Sequence, residues 1–352
     1  MLRNSSVTTK NRISKLSKLT LVLILVALLA QSTFADSLQE ERRIRILFTS
    51  DIHSYLFPVR SQMQGEVREH GGAARLKTLI DRYRDENTVY LDCGDFSMGT
   101  PVQSAFASDA FELRMLGEIG CDVLTLGNHE FDYGTPGLDS MLKAAVSSGD
   151  RLPAIVESSI SFEGELSEDQ KLLKKNYDSG LIQRAISLKV NGLNVTIFGL
   201  MGEDAVECAP DSGQIWRSAK ETAKLMVEEY GDSSDLLICL SHSGTMGDGS
   251  EGEDAELAKA VPGIDVIISG HTHSFLMEPA QVNGSIIASC GEYISHLGVI
   301  DLIVAEDGSV SLANYELVPC DESVEEDPAI AEKAVAVKAK IDEDYLSKYG
   351  YT

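Results

Sequence analysis

Five short segments of this 352-residue chain carry side chains of one chemical kind. They hold Asp51 and His53; then Asp95; then Asn128, His129 and Asp132; then His242; and last His271 and His273. Five of the chain's seven histidines fall in this set; only His70 and His296 lie outside it. A lone histidine is most often structural, but five segments with the same polar cargo are hard to explain by packing. Polar groups withdrawn from water need partners, and a cation supplies a shared one. Three carboxylate or amide oxygens with four imidazoles suit Mn, Zn, Fe or Co. Calcium prefers all-oxygen shells, and structural zinc recruits thiolates. Seven donors exceed the needs of one ion. A carboxylate such as Asp95 can bridge two cations about 3.5–4 Å apart, a pair that acidifies water and clamps a phosphoryl oxygen.

The elements that must position these groups can be read from hydrophobic patterning. Each segment follows a strand-like run: Arg45–Ser50, Thr88–Leu91, Asp122–Leu126, Asp235–Leu240 and Asp265–Ser269. Helical spacing is seen over Ala73–Tyr83, Asp109–Ile119, Pro136–Ser147 and Ser218–Tyr230. Asn191-Gly192 marks a hairpin within Leu181–Leu200. Strands at hairpin spacing occupy Ser285–Ala288, Leu297–Val304 and Val310–Leu317, and a final Ala- and Lys-rich helix spans Pro328–Tyr345. Residues 157–180 are polar and read as a surface excursion. Strand–helix alternation followed by a strand-rich tail predicts an α/β core with a mixed sheet or a two-sheet sandwich. In such folds the C-terminal ends of strands carry the chemistry.

Residues 1–18 hold Arg3, Lys10, Arg12, Lys15 and Lys18 and no acid, and Leu19–Ala30 is almost wholly apolar. With small residues at Thr33 and Ala35, this is the pattern of an export signal, expected over residues 1–35 and cleaved after Ala35. It predicts an extracytoplasmic protein, with membrane attachment only if the signal is uncleaved. Its removal leaves 25 basic against 55 acidic residues, a net charge of −30. Such a surface disfavours nucleic acid and anionic membranes. Of six cysteines, Cys93, Cys239 and Cys290 sit in or beside strand-like runs as small hydrophobes, whereas Cys208 and Cys320 are the better candidates for a disulfide. Gly247–Asp254 fails the spacing of an EF-hand calcium loop, and Arg75 is expected on a helix surface or between layers, with support of the active site as the alternative.

The segments Ser50-Asp-Ile-His53, Cys93-Gly-Asp95, Gly127-Asn-His-Glu130, Ser241-His242 and Gly270-His-Thr-His273 resemble the five ordered motifs of the calcineurin-like metallophosphoesterase superfamily. Gly71–Leu76, Gly94–Pro101, Gly127–Gly134 and Pro262–His271 narrow the likeness to its 5′-nucleotidase and UDP-sugar hydrolase branch. The resemblance spans residues 44 to about 318 and implies a four-layer α/β/β/α sandwich. It implies that Asp51, His53 and His273 hold one metal, that Asn128, His242 and His271 hold a second, and that Asp95 bridges them. His129 would face the substrate, stabilising phosphoryl charge or protonating the leaving oxygen, with Asp132 orienting it.

Three parts are expected: an export signal over 1–35, a catalytic domain over 36–325, and a C-terminal helix over 326–352. That helix resembles the linker to the nucleotide-recognition domain of this branch, which this sequence does not contain. The function implied is an exported dinuclear-metal phosphoesterase acting on a small phosphorylated substrate such as a nucleoside 5′-phosphate. Alternatives are a phosphodiesterase, a cyclic-nucleotide or UDP-sugar hydrolase, and a non-catalytic surface binding module. A partner chain supplying substrate recognition is a further possibility.

Overall fold

The computed structural model describes residues 42–63 and 66–351, with the backbone alone for residues 61–63, 66 and 67. The export signal expected over residues 1–35 lies outside them. In chain order, β1 (Arg42–Thr49) leads to a hairpin of β2 (Val59–Met63) and β3 (Glu66–His70), then α1 (Ala73–Tyr83) and β4 (Thr88–Asp92). Next come α2 (Phe106–Asp109), α3 (Phe111–Ile119), β5 (Val123–Thr125), α4 (Gly134–Ser148), β6 (Ala154–Val156), α5 (Glu168–Asp178) and β7 (Ile182–Gln183). The second half runs β8 (Ala185–Val190), β9 (Leu193–Met201), α6 (Glu203–Glu207), α7 (Ala219–Tyr230), β10 (Leu236–His242), α8 (Glu253–Ala260) and β11 (Val266–Ser269). It closes with β12 (Ala280–Val282), β13 (Ser285–Ala288), β14 (His296–Val304), β15 (Val310–Pro319) and α9 (Pro328–Asp344).

Two mixed sheets result, with orders β15-β14-β1-β4-β5-β6-β7 and β12-β13-β11-β10-β9-β8. β1, β4, β5, β6 and β7 run parallel in the first, and β9, β10, β11 and β13 in the second. Period-two alternation explains why the sheets stack. Ile44, Ile46 and Phe48 of β1 share one buried cluster with Val195, Ile197, Ile238 and Leu240 of the other sheet. Leu47 points the other way and packs with Leu76, Leu79 and Ile80 of α1. On the far side, Phe198, Leu237 and Cys239 pack with Ala223 and Met226 of α7 and Leu257 of α8. The layers are therefore helix, sheet, sheet and helix, as the resemblance implied. No helix of the described residues is long and apolar enough to cross a membrane.

Several expectations are refined. The polar stretch 157–180 contains α5, begun by a capping box in which Ser167 and Gln170 satisfy each other's backbone N–H. Its one fully buried hydrophobe, Leu173, gave too thin an apolar stripe to stand out. The helix expected from Asp109 is divided at Ala110, which adopts φ 50°. Neither the β2–β3 hairpin nor the short β6 carries a long apolar run, so hydrophobic patterning does not mark them. Asn191 and Gly192 both have positive φ, 48° and 75°, as a two-residue hairpin turn requires. The expected Cys208–Cys320 bridge is not formed, and all six cysteines are free. Cys320 is enclosed in the helix-side core, whereas Cys208 is exposed at the end of α6. Arg75 is buried, pairing with Glu69 of β3 at 2.5 Å and with Glu326, just before α9, at 3.8 Å.

One half-buried histidine outside the motifs gives a stability prediction. Burial holds His296 down to about pKa 4, with neighbouring His70 adding to the effect and Asp321 opposing it. A folded pKa below the unfolded value near 6.5 means that the unfolded chain takes up the proton first. The contribution of His296 is thus complete above pH about 6.5 and is lost as the pH falls towards 4. Because Phe275 already stacks on this ring at 4.5 Å, His296→Phe should flatten the fall of Tm across that window in thermal melts. Wild-type and variant profiles that run parallel from pH 7 to 4 would remove the assignment.

Candidate metal centre

All five segments converge at the C-terminal ends of parallel strands, three from one sheet and two from the other. Asp51 and His53 follow β1, Asp95 follows β4, and Asn128 follows β5; His242 ends β10, and His271 and His273 follow β11. The backbone turns sharply to aim them. Asp51, His53, Asp95, His271 and His273 all adopt positive φ, between 51° and 75°. Such conformations cost about 1–3 kcal/mol each for residues with a Cβ and persist only where the surroundings enforce them.

The donors form two groups. Ligand atoms of Asp51, His53 and His273 lie within 4.8 Å of one another, as do those of Asp95, His242 and His271. Asn128 Oδ1 joins the second group 3.2 Å from His242 Nε2. Asp95 Oδ2 stands between the groups, 3.1 Å from His242 Nε2 and 4.0 Å from His53 Nε2. His53 Nδ1 donates to the carbonyl of Met98 and His242 Nδ1 to that of Cys93, each at 2.8 Å. Because a carbonyl only accepts, each ring turns its Nε2 to the centre, the orientation that outer partners impose on metal-binding imidazoles.

The residues fit divalent cations. His53 Nε2 and His273 Nε2 face each other at 3.0 Å, beside the buried carboxylates of Asp51 and Asp95. Lone pairs and negative charge converge there, and only protons or cations can reconcile them. Burial pushes the Asp51 carboxyl up. Asp95 is instead held well below the usual carboxylate range: burial pushes it up, but the charge and hydrogen bond of His242 together with the charges of His129 and His53 outweigh it. His242 is raised to about 10: burial opposes its charge, but Asp95 and Asp51 overcome it. A bound cation would take the place of that proton. With mixed oxygen and imidazole donors and no thiolate, the set matches Mn, Zn, Fe or Co.

His129 and Asp132 stand at the rim. His129 Nδ1 lies 2.9 Å from Asp132 Oδ2, with the two side chains 37% and 38% exposed. The hydrogen bond to Asp132 raises the imidazole to about pKa 9. The His129 backbone N–H donates to Asp95 Oδ1 at 2.9 Å. Its ring can also approach the donors of His53 and Asp95 within 4.8 Å. Its exposure sets it apart from the buried imidazoles of His53 and His242.

Three carboxylates here were not singled out from the sequence. Glu130, fully buried, accepts from the backbone N–H groups of Gly127, Asp95 and Ser97 at 2.7, 3.0 and 3.1 Å. It thereby ties the loop after β4 to the loop after β5. Glu292 pairs with His273 Nδ1, and Asp204 Oδ2 lies 2.8 Å from His271 Nε2. Glu130 lies inside the Gly-Asn-His-Glu motif and could have been suspected. Nothing local marks Asp204 or Glu292, which reach the centre only through folding. Close approach also dictates two glycines. A Cβ at Gly127 would fall 2.2 Å from Asp95 Oδ1, and one at Gly270 would fall 2.6 Å from Ser50 Oγ. Glu130→Gln puts an amide where three N–H groups need an acceptor. It should weaken divalent-cation affinity about 10–100-fold in a calorimetric titration, and unchanged affinity would show the tie to be dispensable.

Residues 44–275 match the family described as calcineurin-like phosphoesterase. The chain belongs to that family. It is 31% identical over 334 residues to the trifunctional nucleotide phosphoesterase protein YfkN of Bacillus subtilis, an alignment covering 88% of this chain and 21% of that protein. It is 24% identical to protein UshA of Escherichia coli, covering 83% of this chain and 54% of UshA. The crystal structure of a 5′-nucleotidase precursor from Thermus thermophilus shares the fold with a TM-score of 0.71 at 24% identity, over 86% of this chain and 59% of that one. The chain thus spans between about a fifth and just over half of these calcineurin-like relatives.

Proposed function

We propose that this calcineurin-like domain is an extracytoplasmic phosphoesterase that uses two divalent cations and hydrolyses nucleoside 5′-phosphates or related nucleotides. The observation that carries the reading is the pair of donor groups sharing Asp95. Asp51, His53 and His273 would hold one cation, Asn128, His242 and His271 the other, with Asp95 between. Bound there, the cations would supply an acidified water and a positive clamp for the phosphoryl oxygens. The chain's own residues do the rest. His53 and His242 are fixed by carbonyl hydrogen bonds, so little reorganisation accompanies charge development. His129, kept protonated by Asp132, places a proton donor on the exposed side, where a leaving alkoxide departs. The printed names of relatives, including a nucleotide phosphoesterase and 5′-nucleotidases, support nucleotides as the substrate class.

An aromatic surface favours the same class. The Tyr293 and Tyr55 rings lie 4.2 Å apart, partly exposed, and Tyr293 stands 5.6 Å from the His53 ring. Base–aromatic stacking contributes about 1–3 kcal/mol. Tyr293→Leu should therefore raise KM for a nucleoside monophosphate about tenfold or more and leave KM for glycerol phosphate unchanged. Equal effects on both substrates would dismiss stacking. The function itself is tested with added Mn by orthophosphate release from nucleoside monophosphates and p-nitrophenyl phosphate, and by ring opening of a cyclic nucleotide to its monophosphate. Absence of turnover with every metal and ester would overturn the hydrolase reading and favour a binding module.

A further inference from the structure

A second set of donors stands on the outer side of His271. Asp204 and Cys208 are four residues apart, one turn along α6, and so share a face. With His271 they form a group whose ligand atoms all lie within 4.8 Å of one another. Asp204 Oδ2 is already 2.8 Å from His271 Nε2. The position of α6 is fixed rather than incidental. Both oxygens of Glu253, from α8, accept backbone N–H groups of its first turn, from Glu203 at 2.7 Å and Asp204 at 3.0 Å. Donors around a tetrahedral zinc or cadmium ion stand about 3–4 Å apart, given bond lengths of roughly 2.0–2.3 Å. Both Asp204 and Cys208 are exposed, so small side-chain rotations would bring thiolate, carboxylate and imidazole to that spacing. The donor set is softer than that of the buried centre, where no sulfur takes part.

We propose that Asp204, Cys208 and His271 form a separate site for a thiophilic divalent cation such as Zn or Cd, and that its occupation silences the hydrolytic centre. Binding there breaks the Cys208 S–H bond and releases its proton to solvent as a metal–sulfur bond forms. The cation also displaces the hydrogen bond between His271 Nε2 and Asp204 Oδ2, the ring proton leaving to solvent as a metal–nitrogen bond forms. His271 is thereby drawn into a second coordination shell and serves the inner centre less well. The inhibitory half of the proposal rests on the proposed phosphoesterase function; the site itself does not.

The test uses the Mn-loaded protein titrated with Cd in the absence of substrate. Wild type should take up one further ion per chain by elemental analysis. It should also develop the near-ultraviolet thiolate-to-cadmium absorption, which belongs to Cys208 because the other five cysteines are buried. Cys208→Ser, a substitution at an exposed position, should lose both signals. Phosphate release should fall at least tenfold with added Cd in wild type, whereas in Cys208→Ser the same Cd should leave most of it. No absorption in wild type, or identical titrations of the two proteins, overturns the site. Absorption with uptake but undiminished turnover overturns its grip on His271. If neither protein turns over any ester while the absorption still depends on Cys208, the site stands and the phosphoesterase reading falls.

Discussion

Asp95→Asn should abolish phosphate release, lowering kcat/KM by at least about 10³-fold, and should reduce bound cation below two per chain. Three roles meet in this carboxylate. It is the donor placed between the two groups, it is the counter-charge that holds His242 high, and its Oδ1 accepts the His129 N–H at 2.9 Å. An amide keeps the shape but removes the charge. Cation charge stabilisation amounts to several kcal/mol of the barrier, and each 1.36 kcal/mol is tenfold in rate. The measurement pairs elemental analysis with phosphate release across a Mn titration. A variant that keeps two equivalents and near wild-type turnover would show that Asp95 does not link the groups.

His129→Ala should behave differently. Loss of a positioned acid costs about 10²–10⁴-fold in kcat, yet cation content should stay at the wild-type level, because the buried donors are untouched. Leaving-group dependence supplies the sharper readout. A nucleoside alkoxide needs a proton as it departs, whereas p-nitrophenolate does not. The defect should thus be large for nucleoside monophosphates and much smaller for p-nitrophenyl phosphate. Asp132→Asn should show the same pattern more weakly, since it leaves the imidazole in place without its carboxylate. Equal defects on both esters would move His129 from proton donor to stabiliser of phosphoryl charge.

The difference between these variants reflects what could be read from the chain. Asp51, His53, Asp95, Asn128, His242, His271 and His273 announce themselves because their residue types follow apolar runs whose strand ends meet in one place. The near-continuous apolar runs of β1 and β10 mark strands buried on both faces, but they left a mixed sheet and a two-sheet sandwich both open, and only the family resemblance implied the four layers. Glu292 and Asp204 were not legible. Each lies distant in sequence from the histidine it meets, and neither the five-residue helix holding Asp204 nor the loop holding Glu292 is long enough to show a period. The left-handed backbone at five of the seven donors was equally hidden, since Asp and His do not advertise positive φ as Gly does. The helix within 157–180 escaped because its packing depends on Leu173 and on Asn176 reaching Asp139 at 3.2 Å.

The distribution of the donors between the sheets has a mechanical consequence. Asp51, His53, Asp95 and Asn128 hang from one sheet, while His242, His271 and His273 hang from the other. A cation in either group draws on both, His273 completing one and His242 with His271 the other. The ions would therefore act as rivets through the sandwich. Their binding free energy adds directly to folding stability, growing with the logarithm of free cation over its dissociation constant. In a cation-poor medium the sheets would keep their greasy interface but lose the rivets at one rim. Divalent-ion supply would then govern how long the protein endures as well as how fast it works.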